Sequence, residues 1–420
     1  MLWLAAGTLV LSVLALILGG LAREAALGLW VLLIVAGLAD AAVSYARLGE
    51  VTVDFKPEVF VGENAELTFD VARWRPGMVG RVAWPEGLRG PDAFAFDAGR
   101  AEVTAQTVRR GTFTIDRLWL MWTSRFELWE FVPSAPMALE LRVVPNIRVV
   151  QSGNITTQVA STLYGIKENR AIGEGSEFHQ LRDFQPGMDI KSIDWKRSAK
   201  KRNLVARELR AERNHHVIIA MDNGYLMREE VAGLPKIDHA ITAALATAWA
   251  AAIGGDLVGY YAYDTRPRSF VKPEPGRLAF ARLRSWTAGL EYVSRETNHT
   301  LAMSELNART PKRSLIITFT DFLDTTSAEL LLENIKVLSK RHLVVFVTLR
   351  DPTLEALISS APQSMGGVAD LVAGNQKASE RRLVFEKLLR MGVTVLDVRP
   401  GELTARLVST YLDIKARELI

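Results

Sequence analysis

The chain has 420 residues, a formal net charge of +4 and a mean hydropathy of +0.10. That length exceeds one compact core and predicts two or three folded units. With no cysteine, disulfides, thiolate catalysis and cysteine-based zinc sites are excluded; the mild, dispersed basicity permits an acidic partner or an anionic membrane surface without requiring either.

Residues 2–22, LWLAAGTLVLSVLALILGGLA, carry no charge, and a bilayer-spanning helix needs about 20 such residues. Arg23 and Glu24 interrupt, and 25–39 are again uncharged up to Asp40. We read 1–46 as two helices joined by a short turn, a membrane hairpin, with Asp40 near the headgroups. The competing reading is a cleaved signal peptide. The lack of Lys or Arg before the first run, and the second run behind it, argue against that. A hairpin puts Met1 and the bulk of the chain on one side, and Arg47 and Lys56 favour the cytoplasm.

Over 50–150 the apolar period changes to two. Val51, Val53 and Phe55 alternate with polar neighbours, as do Leu67, Phe69 and Val71, and "GTFTIDRLWLMW" and "ALELRVVP" repeat the habit. Short strands separated by "RPG", "PEG" and "RGP" predict an all-β, sandwich-like domain serving as spacer or docking module. Trp119, Trp122 and Trp129 are either a binding face or core and edge packing.

Residues 151–214 form a segment of mixed charge, with Arg182 beside Asp183, Asp189 near Lys191 and Asp194 near Lys196. Charges of both signs suit ion pairs and a docking surface. Lys196, Arg197, Lys200, Lys201 and Arg202 are more uniformly basic, and Trp195 could stack on a nucleobase, but lipid headgroups or an acidic partner suit a membrane-anchored chain better. A solvated face is the plainer alternative. Ser176, His179 and Asp183 or Asp189 do not make a triad, because no G-x-S-x-G elbow surrounds Ser176, and there is no P-loop. No enzymatic activity is expected. His215 and His216 point to opposite strand faces and make a poor ligand pair.

From 215 to 420 strands and helices alternate. "HVIIAMD" (216–222), "DLVGYYAYD" (256–264), "SLIITFTD" (314–321), "LVVFVTLRD" (343–351) and "VTVLDVRP" (393–400) read as strands. Residues 236–255, 327–342 (Ser327 as N-cap), 378–392 and a stretch from Glu402 read as helices. The alternation predicts a doubly wound, mostly parallel sheet. Three strands end in Asp222, Asp264 and Asp321, and ligands bind outside the carboxyl ends of such strands. Asp222 and Asp321, with Asp324 and hydroxyls from Thr297 or Thr320, would suit Mg²⁺; capping of the following helices is the alternative.

The stretch "GEGSEFHQLRDFQPGMDIKSIDWKRSAKKRNLVARE", followed by "ERNHHVIIAMDNGYLM", resembles the signature of the bacterial family called domain of unknown function 58. "RRGTFTIDRLWLMWTSRFELWE" is similar to its β region. The resemblance implies a membrane hairpin, a β region and a von Willebrand factor A-like α/β domain along nearly the whole chain. It implies a MoxR-type AAA+ ATPase as partner and a chaperone-like role in maturation. It also implies a metal-ion-dependent adhesion site, with Asp222, Thr297 and Asp321 as Mg²⁺ ligands. Both serines of its D-x-S-x-S motif are replaced here, by Gly224 and Leu226. The resulting expectation is a non-enzymatic adaptor in a bacterial inner membrane, with two spans and its bulk in the cytoplasm. It would contact partners through Arg182, Asp183, Asp189, Asp194, Trp195, Lys196 and Arg197, and no nucleic acid is expected. The alternatives are an envelope-facing protein binding a ligand through the β-sandwich, or a hydrolase using His179.

Overall fold

A computed structural model describes the chain except residues 1–6, 8, 11, 14–15, 18–19, 46–48, 154, 158, 160–176, 186–187, 211–214, 324, 360–363 and 420. Ser176, Asp324, Arg47 and the turn at 186–187 therefore lie outside the described residues. So do the side chains of Arg23 and His179. Two compact units divide at Val144 and Pro145.

In the first unit a helix runs from Leu21 to Ser44. Its stretch Leu27–Ser44 is long and apolar enough to cross a membrane, and little of it is buried. Described residues between 7 and 17 are also helical, and the Trp30 Nε1 donates to Ser12 Oγ at 2.6 Å. The β region follows as two sheets. One orders the strands Val51–Phe55, Asn64–Val71, Arg100–Thr107 and Leu88–Arg89. The other centres on the antiparallel pair Gly111–Thr123 and Ser134–Val144. The period-two pattern is visible in burial: Ala65, Leu67, Phe69 and Val71 are inside while their neighbours are more exposed. Phe69 of one sheet stacks on Phe94 of the other at 5.2 Å, which closes the sandwich-like core. The three tryptophans part ways. Trp122 is buried, and its Nε1 donates to the Ser44 carbonyl at 3.2 Å; Trp129 is exposed.

The second unit begins with the signature segment. Glu177–Asp183 pairs antiparallel with Val205–Arg210, and between them lies a helix, Trp195–Lys201. Asp194 caps that helix by accepting from the Arg197 N–H at 3.1 Å, and buried Ser198 Oγ accepts from the Val205 N–H at 2.9 Å.

A six-stranded sheet follows. Its strands are β1 (His216–Asp222), β2 (Leu257–Tyr263), β3 (Pro267–Pro275), β4 (Ser314–Phe319), β5 (Leu343–Leu349) and β6 (Thr394–Val398), in spatial order 3-2-1-4-5-6. All neighbours are parallel except β2 and β3. Strands covered on both faces read as continuous apolar runs, and β1 is one: Val217 to Met221 are fully buried. The main helices are α1 (Lys236–Ile253), α2 (Gly276–Ala288), α3 (His299–Arg309), α4 (Thr325–Ser339), α5 (Pro352–Ser359), α6 (Met365–Arg390) and α7 (Pro400–Ala416). Ile218, Tyr261 and Phe346 of the sheet pack with Met303 and Leu306 of α3, Leu331 and Ile335 of α4, and Leu388 of α6. α1 packs against β1, β2, α2 and α7.

Several boundaries differ from the sequence reading. The helix expected at 378–392 begins at Met365, where Ser364 Oγ accepts from the Gly367 N–H. Ser327 is not an N-cap but lies inside the first turn of α4. β3, α2, α3 and α5 were not expected.

α7 is fastened by one buried carboxylate. Asp256 accepts from Tyr411 Oη at 2.5 Å and pairs with Lys415 Nζ at 2.8 Å. Removing one donor from a buried acceptor costs about 1–3 kcal/mol. Tyr411→Phe should therefore lower the thermal midpoint of this unit by about 2–4 °C per kcal/mol lost, read by differential scanning calorimetry.

Candidate functional site at the carboxyl edge of the sheet

β1 and β4 are neighbours, while the connection out of β1 leads the other way, to β2. The order therefore switches between β1 and β4, and the crevice outside their carboxyl ends is where open α/β sheets bind ligands. Asp222 ends β1, and Thr320 and Asp321 follow β4. The three residues assigned by resemblance to a metal meet here, but each carboxylate is already occupied.

Asp222 is 1% exposed. Its Oδ1 accepts from Thr297 Oγ1 at 2.6 Å and from the Gly224 N–H at 2.8 Å. Its Oδ2 accepts from Thr320 Oγ1 at 2.6 Å. Thr297 arrives from the loop before α3 and fills the space a side chain at 224 would need: a Cβ there would lie 1.9 Å from Thr297 Oγ1. The glycine is thus required by close approach.

Asp321 is 4% exposed. Its Oδ2 pairs with Lys236 Nζ at 2.7 Å and its Oδ1 with Arg381 Nη1 at 2.9 Å. Oδ1 also accepts from the Phe322 N–H at 3.0 Å and Thr348 Oγ1 at 3.1 Å. Burial alone would raise the Asp321 carboxyl, but Arg381 and Lys236 outweigh it and hold it below the usual carboxylate range. Burial would likewise lower the Lys236 ammonium; Asp321 and Glu229 instead raise it.

Pairing continues outward. Lys236 also meets Glu229 at 2.5 Å, Arg381 meets Asp397 at 3.0 Å, and Arg350 meets Asp397 at 3.2 Å and Glu355 at 3.3 Å. Arg399 closes the chain on Glu355 at 2.8 Å. Four cations alternate with four carboxylates. The Arg381 guanidinium also lies 5.5 Å from the Phe322 ring centre and 5.2 Å from that of Phe385.

Two cavities flank the segment Asp321–Leu323. One, of about 460 Å³, is bordered by Lys236, Arg381, Lys377, Arg382, Leu354 and Phe385. The other, of about 470 Å³, is bordered by Thr297, His299, Glu296 and Leu330. Leu226, Phe322 and Leu323 line both, an apolar saddle whose crest, Leu323, is 44% exposed. Burial lowers the His299 imidazole from its ordinary value, against the pull of Asp222 and Glu296.

As ligands for a hard divalent cation these groups do not fit. An ion on Asp321 would have to displace Lys236, which is itself nearly buried. Gly224 offers no side chain, Leu226 presents an apolar one, and the described residues hold no group of three or more metal-ligating acids or histidines. Asp264 caps no helix, because a strand follows it; it holds the turn between β2 and β3, bonding Arg268 Nε at 2.6 Å and the Arg266 N–H at 3.2 Å.

Among the residues expected to bind partners, Arg182, Asp183, Asp189, Trp195, Lys196 and Arg197 are exposed on the hairpin and its helix, and Asp194 is the helix cap. Lys236 and Arg381 were missed. Their signal was faint: Lys236 opens a helix, where a cation is opposed by the helix dipole, and Arg381 lies one turn from apolar Phe385.

The fold and site define a doubly wound α/β domain with a charge-balanced, partly apolar crevice, in a chain that also carries a β-rich unit and, among the described residues, one helix long and apolar enough to cross a membrane. Residues 180–366 match the model of a family described as protein of unknown function DUF58, which supports the resemblance over that stretch. No curated protein matches the chain.

Asp321→Asn should leave Lys236 with Glu229 as its one carboxylate and Arg381 with Asp397; because each cation keeps a partner, the loss should fall at or below the lower end of the about 3–5 kcal/mol that a stranded buried charge costs. Because the folded Asp321 carboxyl is depressed, its contribution is present above about pH 4 and lost as pH falls through the folded value. Urea unfolding of wild type and variant should show a full stability gap at neutral pH that closes with acidification.

Proposed function

We propose that the protein is a membrane-anchored, non-enzymatic adaptor whose partner seats on the saddle of Leu226, Phe322 and Leu323. One observation carries this reading: the crevice at the strand switch offers an exposed apolar crest between two cavities, while both oxygens of each of its carboxylates already hold protein donors. An apolar contact with a charged rim is the usual make-up of a protein-binding patch, and recognition needs no metal, because Lys236 and Arg381 occupy the acidic position that the resemblance gives to Mg²⁺. Asp222 is buried and accepts from Thr297, Gly224 and Thr320, bonds that hold the crevice together and give no support to a catalytic role.

The von Willebrand factor A-like character is supported by the convergence of Asp222, Thr297 and Asp321 on one crevice. The anchor is supported by Leu27–Ser44. A hairpin with two spans is supported by the Trp30–Ser12 bond, which ties described residues of the first apolar run to the helix. That topology, with Lys56 just beyond the helix, favours a cytoplasmic bulk at a bacterial inner membrane. The partner we propose is a MoxR-type AAA+ ATPase, which the resemblance implies, in a chaperone-like maturation or envelope-related process. The charge-balanced chain of ion pairs offers no phosphate-tracking stripe, which accords with no nucleic-acid partner.

Affinity capture of the full-length protein from membranes, with ATP and Mg²⁺, tests the reading. Wild type should retain an AAA+ ATPase, and Leu323→Asp, on an exposed position, should lose it with little change in thermal stability. Retention by both proteins, or by neither, would contradict the assignment.

A further inference from the structure

The segment Ser124–Val132 has no part in the site described above, yet it carries three exposed apolar side chains: Phe126 at 70%, Trp129 at 46% and Val132 at 52%. It is tied to the apolar helix of the same unit. The Trp129 Nε1 donates to the Gly37 carbonyl at 2.9 Å. The Phe126 N–H donates to Asp40 Oδ1 at 3.3 Å, and the Arg125 N–H to Ser44 Oγ at 3.0 Å. Tyr45 packs edge-on against Phe131 at 6.0 Å. At 1.5 Å of rise per residue, Gly37 lies about 10 Å inside the end of the helix at Ser44. Trp129 therefore sits beside the apolar span, not beyond it.

We propose that the Ser124–Val132 loop is itself a membrane-contacting element, inserted with Phe126, Trp129 and Val132 into the headgroup and acyl boundary of the bilayer crossed by Leu27–Ser44. This rests on the membrane-anchor reading. Three features make the loop fit for that solvent. Many of its backbone N–H groups are bonded within the loop or to the helix: buried Ser124 Oγ accepts from the Leu128 and Trp129 N–H groups at 3.0 and 2.9 Å, the Ser124 N–H donates to the Trp129 carbonyl at 2.8 Å, and the Arg125 and Phe126 N–H groups donate to Ser44 and Asp40. Backbone leaving water must be so satisfied. Indole rings favour the interface, where one edge is apolar and the other polar. Arg125, Glu127 and Glu130, all exposed, limit the depth to the boundary layer, where amphipathic elements bury about 5–10 Å. The loop also buries Asp40, at 4% exposure, so the carboxylate within the span is shielded by protein instead of facing lipid.

The chain has no cysteine, so a single introduced thiol labels cleanly. Full-length Phe126→Cys, Leu32→Cys and Glu102→Cys would be spin-labelled and placed in phosphatidylcholine–phosphatidylglycerol vesicles. Collision rates with oxygen and with a nickel chelate are then read by electron paramagnetic resonance. Leu32 lies on the exposed face of the helix and Glu102 on an exposed strand position. We expect Phe126 to lose nickel collisions relative to Glu102 and to gain oxygen collisions toward the level at Leu32. Val132→Cys repeats the reading at a second site should labelling at 126 disturb the loop. Water-like values at 126 and 132 with a lipid-like Leu32 would overturn the loop insertion and leave the anchor standing. Water-like values at all sites would overturn both.

Discussion

Asp321 sits between Lys236 and Arg381, and the edge of the α/β unit is arranged around that contact. Lys236 is the first residue of α1, where the helix dipole opposes a cation and burial opposes any charge. It stays there because Asp321 and Glu229 both reach it. Arg381 comes from the middle of α6, and through Asp397 it ties that helix to β6. One carboxylate after β4 thus joins α1, α6 and the far strand of the sheet.

Such a pair is weak evidence for net stability. Desolvating two ions costs several kcal/mol each, and their attraction repays this only when the geometry and remaining hydrogen bonds are complete. Here they nearly are: each Asp321 oxygen has a cation, and Oδ1 has two further donors. The consequence is specificity of arrangement. The chain of charges from Glu229 to Arg399 is committed to itself, which leaves the apolar saddle and the exposed Lys377 and Arg382 as the open features of the crevice. A glycine at 224 completes the design by letting Thr297 reach Asp222.

The sequence announced the parts of this structure that follow from burial. Continuous apolar runs marked β1, β2, β4 and β5 almost to the residue, because strands covered on both faces have no polar register to blur them. β3 escaped notice: as an antiparallel edge strand it carries Pro267, Pro273 and Pro275 and only partial burial. α6 extends upstream through Gly366, Gly367 and Gly374, poor helix formers that mask its start. Gly374 lets α6 approach α5 closely: a Cβ there would come within 3.2 Å of Ile358. Of the site, Asp222, Thr297 and Asp321 were visible through the strand ends and the family resemblance. The cations that neutralise Asp321 lie 85 and 60 residues from it, and the local signs that they turn inward, a cation opening a helix and one a turn from Phe385, are faint.

Lys236 and Arg381 leave Asp321 no charge for a metal to neutralise. The most direct measurement is a Mn²⁺ titration of the full-length protein followed by electron paramagnetic resonance of the free ion, run on wild type, Asp222→Asn and Asp321→Asn. Three superimposable curves are expected, with no site lost on either substitution. A single saturable Mn²⁺ site in the wild type that disappears in both variants would contradict that charge balance.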